Sequence, residues 1–241
     1  MKRKLKILLM AAMPLILCAG IFAGLVWKGV IRPNESTAAR YTVRGADVSH
    51  YQGIIDFDRL AKQGLQFVFI KATESARHVD ECFSENLARV QTSPLRCGFY
   101  HFFSYDSAGS DQAAHFIAHV PALEDMLPPV IDVEFYGDYT LHPDDPEAVR
   151  TELRAMIDTL AEHYQTPPIL YCTRRAWQLY IRDNFDDCDL WIRDVYFTPS
   201  DCSWTFWQYT DRAVLEGYSG EEPCIDLNVF FGTPEDFRRY P

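Results

Sequence analysis

No C-x-x-C pair, no cysteine set at zinc-ligand spacing and no histidine pair beside the acids discussed below occurs in the 241 residues. Structural zinc modules are thereby excluded, and neither a metal nor another cofactor is expected. No glycine-rich nucleotide fingerprint follows the first strand-like run, which argues against a dinucleotide-binding sheet. Internal repeats and low-complexity tracts are absent as well, and nothing marks a second domain. Positive charge is scarce beyond the N-terminus. Residues 1–40 hold seven of the 23 Lys and Arg but one of the 34 Asp and Glu, so the remainder carries 16 basic against 33 acidic residues, a net charge of −17. Such a surface repels phosphate backbones, which excludes nucleic acid as a partner and favours a neutral or zwitterionic substrate.

What is present at the N-terminus is a different kind of sequence. Lys2, Arg3, Lys4 and Lys6 precede an apolar run from Ile7 to Ile31, interrupted by Lys28 near its end. Residues 1–31 therefore read as a signal peptide or a signal-anchor transmembrane helix, with the basic side cytoplasmic and the rest exported. The exported part would face the periplasm or cell wall, held at the cytoplasmic membrane or secreted after cleavage. Residues 32–43, RPNESTAARYTV, are polar and aperiodic and read as a tether. Cys18 lies in the apolar run. The even number of remaining cysteines permits disulfides in an oxidising compartment, with Cys188, Cys202 and Cys224 the candidates, whereas Cys97 and Cys172 sit in strand-like runs as small hydrophobes.

From residue 44 to 241 the chain reads as one catalytic domain, expected to act as a monomer. Strand-like runs occur at 45–48, 67–71, 97–103, 129–134, 169–172, 190–195, 205–209 and 225–231. Helical patterns separate the earlier ones, at 56–63, 81–90, 107–119, 146–164 and 174–181. Strand then helix, repeated, predicts an α/β fold with a parallel sheet, and about eight strands predict closure toward a TIM-barrel-like form. The last three runs lack long intervening helices, so irregularity is expected on that side.

In such a barrel the chemistry collects at the C-terminal ends of the strands. The segment LPPVIDVE delivers Asp132 and Glu134 two residues apart at the end of one strand, pointing the same way. Two acids aimed at one place repel when both are ionised, so one tends to keep its proton and can donate it. Asp47 in GADVS and Asp226 in CIDLNVF add further acids. Around them stand Lys71 and Glu74, Tyr100 and Phe102, Tyr171, Trp191, Trp207 and Gln208. Carboxylates ringed by aromatic side chains suit a carbohydrate. Other readings stay open for several of these residues: Asp47 as a cap, Lys71 with Glu74 as a plain ion pair, Trp191 and Trp207 as core. His101 reads better as a hydrogen-bonded core histidine.

Eight collinear motifs, GADVSHYQGIIDF, FVFIKATES, GFYHFF with DQAAHF, LPPVIDVE, ILYCT, LWIRDVY, FWQYT and IDLNVFFG, resemble the glycoside hydrolase family 25 lysozymes, the Chalaropsis-type N-acetylmuramidases. The likeness spans Gly45 to about Phe237. It implies an irregular, incomplete β/α barrel with an acidic groove, and cleavage of the β-1,4 bond between N-acetylmuramic acid and N-acetylglucosamine in peptidoglycan glycan strands. It implies Glu134 as general acid, Asp132 as its supporting neighbour, Asp47 and Asp226 as the rest of the acidic cluster, and Tyr100 near the reacting sugar. Ser75 stands where the family usually has glycine, and Arg193 with Asp194 stand where a small residue and a variable one are usual, departures that bear on groove shape and charge.

A D-x-E strand suits substrate assistance, in which the sugar's own N-acetyl oxygen attacks the anomeric carbon, and that route is favoured over direct displacement or inversion. Two other classes remain in view: a metal-dependent polysaccharide hydrolase or deacetylase using the four acids, and a non-catalytic envelope protein that only holds glycan.

Overall fold

The structure, a computed structural model, describes the backbone of residues 2–241 and the side chains of residues 13–241. Helix α1 (Lys2–Trp27) opens the chain and the short α2 (Glu35–Ala38) follows. Next come β1 (Arg44–Val48), α3 (Phe57–Lys62), β2 (Phe67–Glu74), the two-residue β3 (His78–Val79) and α4 (Phe83–Val90). The middle of the chain forms β4 (Arg96–Phe102), α5 (Gly109–His119), β5 (Val130–Val133), α6 (Pro146–Tyr164) and β6 (Ile169–Thr173). The last part forms α7 (Arg174–Ala176), which runs on into a wider turn at Trp177–Ile181, then β7 (Leu190–Arg193), β8 (Phe206–Ala213), β9 (Ile225–Phe230) and α8 (Pro234–Arg239). All eight strand-like runs are strands; β3, α2 and α8 carry no signal strong enough to have been expected.

Among the described residues no helix is long and apolar enough to cross a membrane. The first twelve side chains of the segment expected to engage a membrane lie outside the described residues.

Eight strands close into a barrel in the order β1, β2, β4, β5, β6, β7, β8, β9 and back to β1, with β3 an appendage on β2. The expectation of an incomplete barrel is corrected: β1 pairs with β2 on one side and β9 on the other, leaving no open edge. The expectation of a wholly parallel sheet fails at β9, which runs antiparallel to both β1 and β8. The connection from β8 to β9 has no helix to carry the chain back, so β9 returns directly, and this is the irregular side of the barrel.

Period-two alternation sorts the side chains. The barrel interior takes Phe67 and Phe69 of β2, Val130 of β5, Ile169 and Tyr171 of β6, Trp191 of β7, Phe206 of β8 and Phe230 of β9. Intervening residues such as Ile131, Cys172, Ile192 and Trp207 face the surrounding helices in a second apolar layer. Each buried large side chain contributes about 1.5–3 kcal/mol. Gly45 and Gly98 occupy interior positions directly beside Phe67 and Phe69 in the ladder. A Cβ there would come within 2.4 Å of the Phe67 ring or 2.6 Å of the Phe69 ring, so these glycines make room for the aromatic filling. From below, Phe237 of α8 closes the barrel against Phe67 and Phe230, at ring separations of 5.4 and 5.2 Å.

Helix α6 begins as its sequence predicts, with the Asp145 side chain accepting from Ala148 N at 3.2 Å and Pro146 in the first turn. Residues 32–43 are packed, unlike a tether. Asn34 is buried and donates through Nδ2 to the carbonyls of Asp194 and Tyr209, at 2.9 and 3.4 Å. Tyr41 meets Trp204 edge-on at 5.2 Å, and Val43 is fully buried. All seven cysteines are free, so the candidate disulfides of Cys188, Cys202 and Cys224 are not formed; Cys97 and Cys172 are buried hydrophobes.

Candidate active site

One step above the apolar filling, the same inward-facing rows turn polar. Gly45 is followed inward by Asp47, Phe69 by Lys71, Gly98 by Tyr100, Val130 by Asp132, Trp191 by Arg193 and Phe206 by Gln208. On β9, which runs the other way, Phe230 is preceded inward by Asn228 and then Asp226. The site is thus the top layer of the barrel interior, set by two-residue spacing on each strand.

Nine of the twelve residues expected at the site line one cavity of about 220 Å³: Asp47, Lys71, Tyr100, Phe102, Asp132, Glu134, Tyr171, Trp191 and Asp226. Three differ. Gln208 is fully buried behind the cavity wall, where its amide holds acids together. Glu74 is half-exposed above the cavity and receives Lys71 Nζ at 2.7 Å, the plain ion pair. Trp207 is corrected: it faces the helices on the opposite side of β8, is fully buried, and donates its indole N–H to Asp194 O at 3.0 Å. In FWQYT both neighbours of Trp207 face inward, so the tryptophan cannot.

A hydrogen-bonded chain fixes the acids. Asp47 and Asp226 lie directly opposite each other across the β1–β9 ladder. Gln208 Nε2 donates to Asp47 Oδ1 at 3.0 Å and to Asp226 Oδ2 at 3.1 Å, bridging two carboxylates that would otherwise repel. Asn228 Nδ2 donates to Asp47 Oδ1 at 2.7 Å, and Trp191 Nε1 donates to Asn228 Oδ1 at 2.8 Å. Tyr171 hydroxyl sits 3.0 Å from Gln208 Oε1 and 3.4 Å from Glu134 Oε1. Trp191 stacks on Phe69 at 4.4 Å, so this tryptophan is both core and cavity wall.

Asp132 differs from the other acids. Its side chain is buried, and Oδ1 has no hydrogen-bond partner. Burial, then the neighbouring Glu134 charge, pushes its pKa well above the ordinary aspartate value. Burial also raises Glu134, with Asp47 adding to the rise and Arg193 and the Tyr171 hydrogen bond opposing it. Asp47 is pushed up to about 6 by burial, held back by the bonds from Asn228 and Gln208. Asp226 is raised by burial and by the charges of Asp47 and Asp211. Crowded carboxylates in a buried setting therefore keep protons that exposed ones would lose, the condition for acid catalysis. Among the described residues no group of three or more His, Cys, Asp or Glu is arranged to hold a metal ion.

His101 is a core residue, fully buried between Thr73 Oγ1 at 2.7 Å and Gln112 Oε1 at 3.0 Å; burial lowers its pKa to about 4. Ser75 adopts φ +50°, which explains why glycine is the easier residue there. Ser49, Tyr51, Gln52 and Glu222 also line the cavity, and two further residues act on the acids. Asn228 carries Asp47, and Arg193 lies on the cavity side, 2.9 Å from Asp211 and within the field of Glu134 and Asp226. Both sit two residues from an expected site residue, Asp226 and Trp191, so the alternation held their signal.

The family model for "Glycosyl hydrolases family 25" matches residues 46–218, the span that supplies Asp47, Asp132, Glu134 and their neighbours. The chain belongs to this family. It is accordingly a glycosidase. Over 221 residues it is 32% identical to the uncharacterized protein YegX of Escherichia coli K12, covering 87% of this chain and 78% of that protein. It is 28% identical to Lysozyme M1 of Streptomyces globisporus over 227 residues, covering 83% of this chain and 73% of the lysozyme. A solved family 25 glycosyl hydrolase from Bacillus anthracis superposes with a TM-score of 0.80 at 50% identity, covering 83% of this chain and 94% of that one. The family 25 barrel accounts for the closed sheet and for acids gathered at its upper rim.

Proposed function

We propose that this family 25 glycosidase is a peptidoglycan muramidase, hydrolysing the β-1,4 bond from N-acetylmuramic acid to N-acetylglucosamine with Glu134 as general acid and Asp132 as its partner. The observation that carries the assignment of roles is the unpartnered Oδ1 of buried Asp132 beside Glu134. A buried acceptor without a donor costs free energy until one arrives. The amide N–H of a sugar N-acetyl group is such a donor. Accepting it favours the ionised form of Asp132, whose charge helps Glu134 to keep its proton, and turns the acetyl oxygen toward the anomeric carbon. Glu134, less buried than Asp132 in the wall of the same cavity, can protonate the leaving glycosidic oxygen and then activate water for the second half-reaction.

Export belongs to the same proposal. The basic residues and apolar run at the N-terminus, followed by an acid-rich remainder, suit a catalytic unit outside the cytoplasmic membrane, acting on wall glycan as a monomer.

Digestion of purified peptidoglycan, followed by borohydride reduction and mass analysis, tests the reading. New reducing ends are expected on muramic acid. Ends on glucosamine instead would mean a glucosaminidase, and no new ends would leave a glycan-binding protein.

The alkaline limb of the pH profile follows from the charges around Glu134. The general acid must be protonated, so the rate falls as pH rises through the elevated pKa of Glu134. Asp47→Asn removes a like charge and moves that alkaline limb to lower pH, whereas Arg193→Gln removes an opposing charge and moves it to higher pH. Limbs that stay fixed in both variants would detach these groups from Glu134.

A further inference from the structure

The groove does not end at the acids. Glu134, Tyr171, Glu222 and Asp226 line both the cavity described above and a second cleft of about 720 Å³. A glycan crossing Glu134 therefore has sugars on both sides, in two unlike surroundings. The first arm is acidic and aromatic. The second carries three arginines, Arg175 just after β6, Arg193 at the end of β7 and Arg212 on β8.

Four carboxylates, Glu134, Asp211, Glu222 and Asp226, line the same cleft, so the arginines matter by their positions and partners and not by net charge. Asp211 alone serves two of them, at 2.9 Å from Arg193 and 3.6 Å from Arg212. Arg212 also stacks on the Trp27 ring at 4.8 Å. Exposed Arg175 donates to Thr140 O at 2.5 Å and lies 4.4 Å from the centre of the Phe135 ring, partners that orient the guanidinium without cancelling its charge. A guanidinium held over a ring at the wall of an open cleft is placed for the bidentate grip of a carboxylate.

We propose that this arginine-bearing arm binds a carboxylate carried by the muramoyl sugar, on its lactyl ether or its peptide stem, so that charged wall strands are preferred over uncharged glycan of the same backbone. The inference rests on the muramidase reading and supplies its specificity. Arg175 and Arg212 are the specificity residues; Arg193, which also faces Glu134, is left intact in the test.

The test measures kcat/KM of the full-length protein on three substrates. These are stem-bearing strands, strands stripped by an amidase so that only the lactyl carboxylate remains, and stripped strands with that carboxylate converted to an amide. In Arg175→Gln/Arg212→Gln the ratio of kcat/KM on stem-bearing to amidated strands is expected to fall about tenfold, from loss of charge-assisted hydrogen bonds. A stem ties up the lactyl carboxyl as an amide, so a fall confined to the stripped-to-amidated ratio makes the free lactyl carboxylate the ligand, a fall confined to the stem-bearing ratio makes it a stem carboxylate, and a fall in both means that the arm takes either. Arg175→Glu, a single surface change, should lower the stem-bearing ratio further and guards against misfolding of the double variant. Equal losses on all three substrates, or none, would overturn the proposal. Wild-type protein that releases no muramic ends from any of the three would instead defeat the muramidase reading itself.

Discussion

Glu134→Gln is expected to lower kcat on peptidoglycan by about 100- to 10,000-fold, the usual span for loss of a positioned general acid, with KM little changed. The replacement keeps size and shape, and its amide oxygen can still accept from Tyr171, so the hydrogen-bonded chain from Tyr171 through Gln208 to Asp47 has no reason to reorganise. What disappears is the transferable proton. Glu134 lines both arms of the groove and stands two residues from Asp132 on the same strand face, a position that the other shared acids, Glu222 and Asp226, do not occupy. Steady-state kinetics on soluble strands decides the matter, and turnover near the wild-type rate would remove Glu134 from the role.

Asp132→Asn is expected to lose activity by a comparable factor yet melt at a higher temperature near neutral pH. The pKa of Asp132 is raised on folding, so between its ordinary value of 3.8 and its folded value the native protein binds more protons than the unfolded chain. Stability conferred on the protonated form at low pH is therefore lost progressively as pH rises through that window. Asparagine does not titrate and escapes the loss. The difference in Tm should vanish below pH 4 and grow toward pH 7, at ~1.4 kcal/mol for each unit of displacement and about 2–4 °C per kcal/mol for a chain of this size. Melting curves across pH check this. A variant less stable than wild type at pH 7, or a difference independent of pH, would mean that Asp132 is not a strained buried acid. Sacrificing stability for a poised group is common at active sites.

Much of this centre was legible as alternation. Once VIDVE is read as a strand, Val130 and Asp132 must share a face, and the same rule joins Phe69 to Lys71 and Phe206 to Gln208. What alternation leaves free is which face points inward. FWQYT fits either choice until its register against β7 and β9 is known, which is why the sequence leaves Trp207 open between groove and core. The antiparallel entry of β9 was hidden because a strand's direction depends on the path of the preceding loop. Asn34 reaches carbonyls of Asp194 and Tyr209 far along the chain, and no local pattern announces such a contact. Ser75 shows the reverse case: a departure from glycine visible in the sequence became intelligible once its backbone angle was known.

The docking of residues 32–43 bears on where the protein can be cut. A fragment beginning at Arg44 would keep every barrel strand and the four acids of the site, and would look complete by motif. It would also strip Asn34 from the carbonyls of Asp194 and Tyr209 and lift Tyr41 from Trp204 and Trp207, leaving aromatic surface bare on the side where β7 and β8 meet. The smallest soluble piece worth expressing accordingly starts upstream of Asn34, near Arg32. A flexible spacer meant to extend the enzyme's reach belongs before that point, because any insertion after it would pry a packed segment from the barrel wall.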